Sequence, residues 1–426
     1  MKALITLFFI FLLTHAGAQR LCGSSAYKKQ LLLQNPSLQN SFDLAEKQIE
    51  KTIANSKKYA ARDTSSNELI SVPVVIHVLY KNAIQNISDA QILSQLEVLN
   101  KDFSNQNNDR DNTPFVFKNL SADTKIKFCL AQVDPKGKST SGIIRKQSKI
   151  EVFTADDAMK FSASGGDDAW DSQRYLNIWV CTLSARSLGY ATPPGGGADR
   201  DGVVIAYDVF GTVGTLRSPF DKGRTATHEI GHWLGLKHMW GDTDCGDDGV
   251  DDTPRQKTYN FGSPIFPHVT DCSLDANGDM FMNYMDFSDD AAMNMFTIDQ
   301  KKRMRALFAK GNIRNSFLAS FACDSSLVQG APLPIPETAP ATVSDSVDMF
   351  KVYPNPVQNI TTIEYIPAAQ FEVKHISIYN VMGVNVFNGE VNKGKITINI
   401  SHLVTGIYII RIGQGKKAYT TKLIKM

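Results

Sequence analysis

Charge of one sign is what this chain most plainly lacks. Across 426 residues, 45 Lys and Arg stand against 43 Asp and Glu, a formal net charge of +2. That balance gives no field to gather nucleic acid or an anionic membrane surface, so neither is expected as the main partner. Long apolar runs are also missing. The one continuous stretch, "ALITLFFIFLL" near the N-terminus, is too short to cross a bilayer with its flanks, and no transmembrane segment is expected elsewhere. Cysteine is sparse at six and histidine at eight. With 42% hydrophobic residues at this length, the chain reads as globular, with two or three folded units. Three of the few histidines nevertheless crowd into "HEIGHWLGLKH", His228 to His238, at offsets of four and then six. Neutral imidazoles placed so closely point to a metal.

The N-terminus has an address. Met1 and Lys2 give a positive start, the apolar run follows, and Ala16, Gly17 and Ala18 supply small residues for cleavage, which predicts a signal peptide over 1–18. Acylation of Cys22 as a lipoprotein is disfavoured, because Arg20 and Leu21 stand where such signals need small residues. Export permits disulfides.

Residues 19 to about 65 are polar, with a helix expected around "FDLAEKQIEKTIANSKKYAAR". A compact domain begins at "LISVPVVIHVLY", a β-branched run with the character of a buried strand. Ser88 caps the next helix, Gln91 is expected to complete a capping box, and Ile92, Leu93, Leu96, Leu99 and Phe103 share one stripe. Strand-like "KIKFCLAQV", "SGIIRK", "YLNIWVCTL" and "GVVIAYDVF" follow, an order that fits an α/β fold whose sheet is covered by helices. After Cys323 a Pro, Ala, Ser and Thr linker is assigned to 324–345. Short alternating strands between Gly and Asn turns then predict a small all-β sandwich over 346–426.

On a helix, His228 and His232 are one turn apart, so both imidazoles project from one face and reach one zinc. Glu229 sits beside the first ligand, placed to take a proton without ligating. Gly235 permits positive φ, ending the helix so that His238 returns as the third ligand. The set forms H-E-x-x-H-x-x-G-x-x-H, the metzincin signature. "NYMDFSDD" supplies the methionine turn expected beneath the metal, at Met285.

With these residues, the chain resembles the pappalysin family of metzincins, in its bacterial branch of ulilysin and mirolysin, across roughly 69–323. "VPVVIHVLY", "LNIWVC", "LGYATPPG", "DGVVI", "DGVDDTPRQ" and "NYMDFSDDAAMNMFT" carry the resemblance beside the zinc motif. It implies an α/β metzincin catalytic domain, a twisted mixed sheet plus the active-site helix, over 63–323, with an inhibitory pro-segment over 19–62. The implied chemistry is hydrolysis of peptide bonds in protein or peptide substrates, with zinc activating a water and Glu229 as general base. A tyrosine two residues after the turn methionine assists in the wider superfamily. Here that position is Phe287, and Tyr284 precedes Met285 instead.

The resemblance carries further assignments. "CGDDGVDDTPRQ" is a solvated acidic loop on composition alone, whereas in the family a similar loop binds calcium. The carry-over makes Asp248 a side-chain ligand, with Asp247, Val250 and Thr253 contributing at least backbone oxygen. Cys245 and Cys272 resemble the family's disulfide. Among Cys129, Cys181 and Cys323 the sequence does not choose a pair. "QRLCGSS" resembles the pro-segment motif Arg, any residue, Cys, Gly, so Cys22 is expected on the zinc of a latent zymogen. Met293 stands where relatives that cut before Arg or Lys carry an acid, with Asp289 and Asp290 close by. "KVYPNPVQN", "IYNVMGVNV", "LVTGIYIIRI" and "KLIKM" resemble the sorting domain of the type IX secretion system, an immunoglobulin-like sandwich; an adhesion module is the alternative. The resemblance thus implies export through the periplasm to the cell surface or medium, with the type IX machinery as partner. A non-catalytic zinc-containing surface adhesin is the rival reading, and a gluzincin would need a Glu ligand in place of His238.

Overall fold

Ile70–Tyr80, a run of β-branched and aliphatic residues, forms the strand β1 around which the N-terminal part is organised. It is buried along nearly its whole length, as a strand covered on both faces must be. The computed structural model describes residues 22–58, 68–320 apart from 185–186 and 274–275, Cys323, and 350–425 apart from 366–375, 381–384, 390–394 and 413–418. The expected signal peptide, the linker and the end of the expected pro-segment lie outside these residues. Among them, no helix is long and apolar enough to cross a membrane. The chain divides into two units, Met1–Leu333 and Pro334–Met426.

In the first unit, α1 (Ser24–Gln34) and α2 (Leu38–Lys58) precede β1; α3 (Asp89–Phe103) and the short α4 (Phe115–Lys118) follow it. Then come β2 (Ile126–Leu130), β3 (Ile143–Gln147), β4 (Leu176–Cys181), β5 (Gly189–Ala191), β6 (Val203–Ala206), α5 (Arg224–Trp233) and α6 (Ile298–Ala306). The sheet runs β2-β1-β4-β6-β5, with β3 pairing the second half of β1. All these pairs are parallel except β5 with β6. The expected mixed sheet is therefore present, and its antiparallel edge, β5, is too short to have been legible as a strand.

Alternation assigns the two faces. Val72, Val74, Ile76 and Val78 of β1 share the main core with Leu99 and Phe103 of α3 and Ala226 and Ile230 of α5. Leu79, Trp179, Cys181, Tyr190 and Val204 cluster on the other side with Tyr27, Leu31 and Phe42 from the two N-terminal helices. Helix α2 begins at Leu38, ahead of the stretch expected as helix from Phe42, and covers 42–58 of it, whereas α1 was not expected.

One local expectation fails. Ser88 Oγ accepts the Gln91 amide at 3.2 Å, but the Gln91 side chain does not close a capping box. It is buried and donates to the carbonyls of Tyr207 and Phe210 at 3.0 and 2.9 Å, which gives those backbone acceptors the partner that burial requires. The complete capping box lies instead at Thr297 and Gln300, opening α6.

Helix α5 ends as the sequence predicts. Gly235 has φ +82°, its N–H donates to His232 O at 2.9 Å, and Leu236 N–H donates to Gly231 O at 2.9 Å. This pair of bonds is a Schellman motif, and it turns the chain back so that His238 faces the helix. Two disulfides, Cys245–Cys272 and Cys129–Cys323, brace the unit, while Cys181 stays a buried thiol. The second of these pairs is the one the sequence left open.

The C-terminal unit has seven described strands, β7 to β13: Phe350–Tyr353, Ile360–Tyr365, Ile376–Asn380, Asn385–Gly389, Lys395–Asn399, Gly406–Ile412 and Tyr419–Lys425. They form two antiparallel sheets, β10-β9-β12-β13 and β11-β8-β7. Ile376, Ile378, Ile410 and Ile412 of the first bury with Ile363 and Ile398 of the second.

Candidate metal centre

The three imidazoles are fixed from behind. His228 Nδ1 donates to Tyr284 O at 2.7 Å, and His232 Nδ1 to Leu236 O at 2.9 Å. His238 Nδ1 meets Asp242 Oδ1 at 2.5 Å. Each partner is an acceptor, so each ring carries its proton on Nδ1 and turns an Nε2 lone pair inward. His232 Nε2 then lies 3.1 Å from His228 Nε2 and 3.0 Å from His238 Nε2. Lone pairs brought that close repel unless a cation lies among them. Burial, then His238, pull His232 down to about 3, so its imidazole is neutral near pH 7.

Cys22 completes the set: its Sγ and one ring nitrogen from each histidine all lie within 4.8 Å of one another. Burial, then the Glu229 carboxylate, push this thiol well above its ordinary range, so a thiolate here requires a compensating cation. Three neutral nitrogens and a sulfur converging in a buried site fit a tetrahedral metal of zinc type.

The segment carrying Cys22 runs along the free edge of the sheet. Cys22 bridges Gly189 in parallel, and Gly23 N–H donates to Gly189 O at 2.9 Å. Ser24 Oγ then donates to Glu229 Oε2 at 2.9 Å and accepts the Ala191 amide at 2.9 Å. Glu229 is buried beside the histidines.

Below the helix, Met285 packs so closely that a Cβ on Gly231 would meet its sulfur at 2.4 Å. Asn283 holds the turn by accepting the Met285 amide at 3.0 Å and exchanging two bonds with Gln300 of α6. Tyr284 presents its carbonyl to His228, while its hydroxyl pairs with buried Arg224. The hydroxyl is therefore committed away from the imidazoles. Arg224 also binds Asp109 through two bonds of 2.9 Å, and Asp102. Burial raises Asp102 to about 6 against the opposing charge of Arg224.

In the acidic loop, Asp248 is buried and accepts from Thr253 Oγ1 and Val250 N at 3.0 and 3.1 Å. Burial pushes it up to about 7. The Asp247 carboxylate is split: Oδ1 accepts the Gly249 amide of the loop at 2.7 Å, and Oδ2 turns outward to Arg255 at 2.9 Å, while Asp248, Val250 and Thr253 gather through their own bonds. Met293 is fully buried, next to Asn294, whose N–H bonds Met282 O at 2.8 Å alongside the methionine turn. Asp290 accepts the Lys222 and Arg224 amides at the start of α5. Sequence reasoning missed Ser24 and Asp242. Asp242 carried a signal, a carboxylate four residues after a ligand; Ser24 carried none.

The fold and site define a metallopeptidase of metzincin type. Residues 162–309 match the peptidase family described as pregnancy-associated plasma protein-A, and 351–426 match a secretion system C-terminal sorting domain. An extracellular metalloprotease of Verticillium alfalfae is 32% identical, over 56% of this chain and 76% of that protein. Mature mirolysin of Tannerella forsythia, solved with a cleaved peptide, is 48% identical with a TM-score of 0.59, over 61% of this chain and 98% of that one. A promirolysin variant from the same organism is 45% identical with a TM-score of 0.65, over 72% and 99%. The chain belongs to the pappalysin family and is a metalloendopeptidase.

Asp242 orients His238 from behind, and such partners typically govern metal affinity. Asp242→Asn is expected to weaken metal binding by about 10–100-fold, read by chelator competition. An unchanged affinity would contradict that role.

Proposed function

We propose that the chain is a secreted zinc endopeptidase made as a latent zymogen. The observation that carries this reading is the convergence of His228, His232 and His238 beside Glu229, with Cys22 of an N-terminal segment on the same point. Bound zinc would supply a Lewis acid for the scissile carbonyl and lower the pKa of a water it holds to about 7. Glu229 takes the proton from the attacking water and passes it to the departing amine. Edge strand β5 offers the backbone on which a substrate is held, as it holds Cys22 and Gly23. A non-catalytic adhesin has no need of a buried carboxylate beside an open metal position.

Latency has two parts. Cys22 takes the position that water needs, and Ser24 Oγ ties down the base. Residues 19–62 form the pro-segment and 63–323 the peptidase domain. The signal peptide, 1–18, directs export to the periplasm, and the immunoglobulin-like sorting domain, 346–426, engages the type IX machinery across the linker. Calcium binds Asp248 with oxygens of Asp247, Val250 and Thr253, which accounts for a carboxylate buried without a cationic side chain bonded to it.

Glu229→Ala is expected to keep its metal content and lose about 10²–10⁴-fold in peptidase rate. Retained activity would refute the assigned base. Cys22→Ala should make the full precursor active or faster to process itself, and adding Ser24→Ala should raise activity further. A Cys22→Ala precursor as silent as wild type would remove the latch, and equal single and double variants would remove Ser24 from it. Met293 cannot offset the desolvation of a guanidinium, so residues after the cut should be uncharged or apolar. Cleavage profiling dominated by Arg or Lys at that position would overturn this.

A further inference from the structure

Tyr27 of α1 fills a pocket built from the peptidase body. It is 2% exposed, its ring packs 4.6 Å from that of Tyr190, and its hydroxyl donates to Asp157 Oδ2 at 2.6 Å. Lys160 Nζ, wholly buried, donates to the same hydroxyl at 3.3 Å and lies 4.8 Å over the ring. Lys160 is itself held by Asp157 Oδ1 at 2.9 Å and by Thr192 Oγ1 at 2.8 Å. Asp157 also accepts from Tyr190 Oη at 3.1 Å.

The chemistry of this pocket is specific. An ammonium and a carboxylate meet one oxygen at the end of an aromatic slot, so the occupant's oxygen must both donate and accept. A phenol satisfies both; a phenylalanine ring satisfies neither. Tyr190 belongs to β5, directly after Gly189, which bridges Cys22. The slot therefore opens beside the strand edge that leads to the histidines.

We propose that, once the segment carrying Tyr27 leaves, this slot is a recognition subsite for a tyrosyl side chain of a polypeptide substrate, with Tyr27 its stand-in in the latent chain. The inference rests on the reading of that segment as a removable pro-segment of a peptidase. Asp157 accepts the phenolic hydrogen bond, Lys160 donates to the oxygen, and Tyr190 packs against the ring at a tilt. A substrate lacking the hydroxyl leaves two buried charged groups without the bonds that Tyr27 provides now.

The test uses the full chain after proteolytic activation. Paired peptides differing only in Tyr or Phe, scanned through each position around the cut, should show one position where Tyr is favoured in kcat/KM by about tenfold or more. That preference should fall to about one in Lys160→Met. Should that variant fail to fold, Asp157→Asn provides the second one, since asparagine tolerates the left-handed φ of +68° found there. A readout free of catalysis accompanies it: a labelled peptide of residues 22–34 should bind the activated chain at least about tenfold more tightly than its Tyr27→Phe form. Equal binding of the two peptides, with no position preferring Tyr, overturns the subsite. Differential binding without any cleavage supports the subsite and counts against the peptidase reading alone.

Discussion

Three imidazole lone pairs aimed at one point are the constraint on which the rest of the first unit depends. Left to themselves, rings this close would turn apart, so each is locked by a hydrogen bond from Nδ1 to an acceptor on a different element. The acceptors are the methionine turn, the segment after the helix, and the residue Asp242. Each in turn is held: the turn by Asn283, Gln300 and Arg224, the helix end by the Schellman bonds around Gly235, and Asp242 by Ser25 Oγ at 2.8 Å. Gly231 is part of the same construction, because only a residue without Cβ lets the Met285 sulfur lie so close beneath the helix.

The N-terminal segment exploits the β5 edge of the sheet. An unpaired strand edge is a template for another chain, and here the pairing partner is the chain's own Cys22 and Gly23. The grip extends well past the metal point. Tyr27 is buried against Asp157 and Lys160, Ile49 of α2 enters the main core, and Glu46 pairs with Arg303. In the proposed latent state, release of the thiol alone would leave these contacts in place, which makes removal of the segment the natural route to an open site.

Legibility in the sequence followed contact distance along the chain. The helix with His228, Glu229 and His232, the stop at Gly235 and the return of His238 are contiguous, so spacing alone predicted their geometry. Strands β1, β2, β3, β4 and β6 and the strands of the C-terminal unit were legible from β-branched runs and alternation. Helix α1 was not, since its leucines run together as Leu31, Leu32 and Leu33 rather than at helical spacing. The Ser24 bond to Glu229 and the Tyr27 bond to Asp157 span 205 and 130 residues, and no local pattern encodes such a pairing. The Cys129–Cys323 bond spans 194 and was open for the same reason. Gln91 shows the converse: a local motif was present, and buried carbonyls elsewhere claimed its side chain.

In the proposed cycle the same three histidines hold zinc throughout, with sulfur from Cys22 as fourth ligand only while the chain is latent. X-ray absorption spectroscopy of the zinc-loaded chain before and after activation tests it directly. Three nitrogen scatterers at about 2.0–2.1 Å are expected in both states, with one sulfur at about 2.3 Å that is lost on activation. A latent chain with no sulfur scatterer, or an activated chain that keeps one, would contradict it.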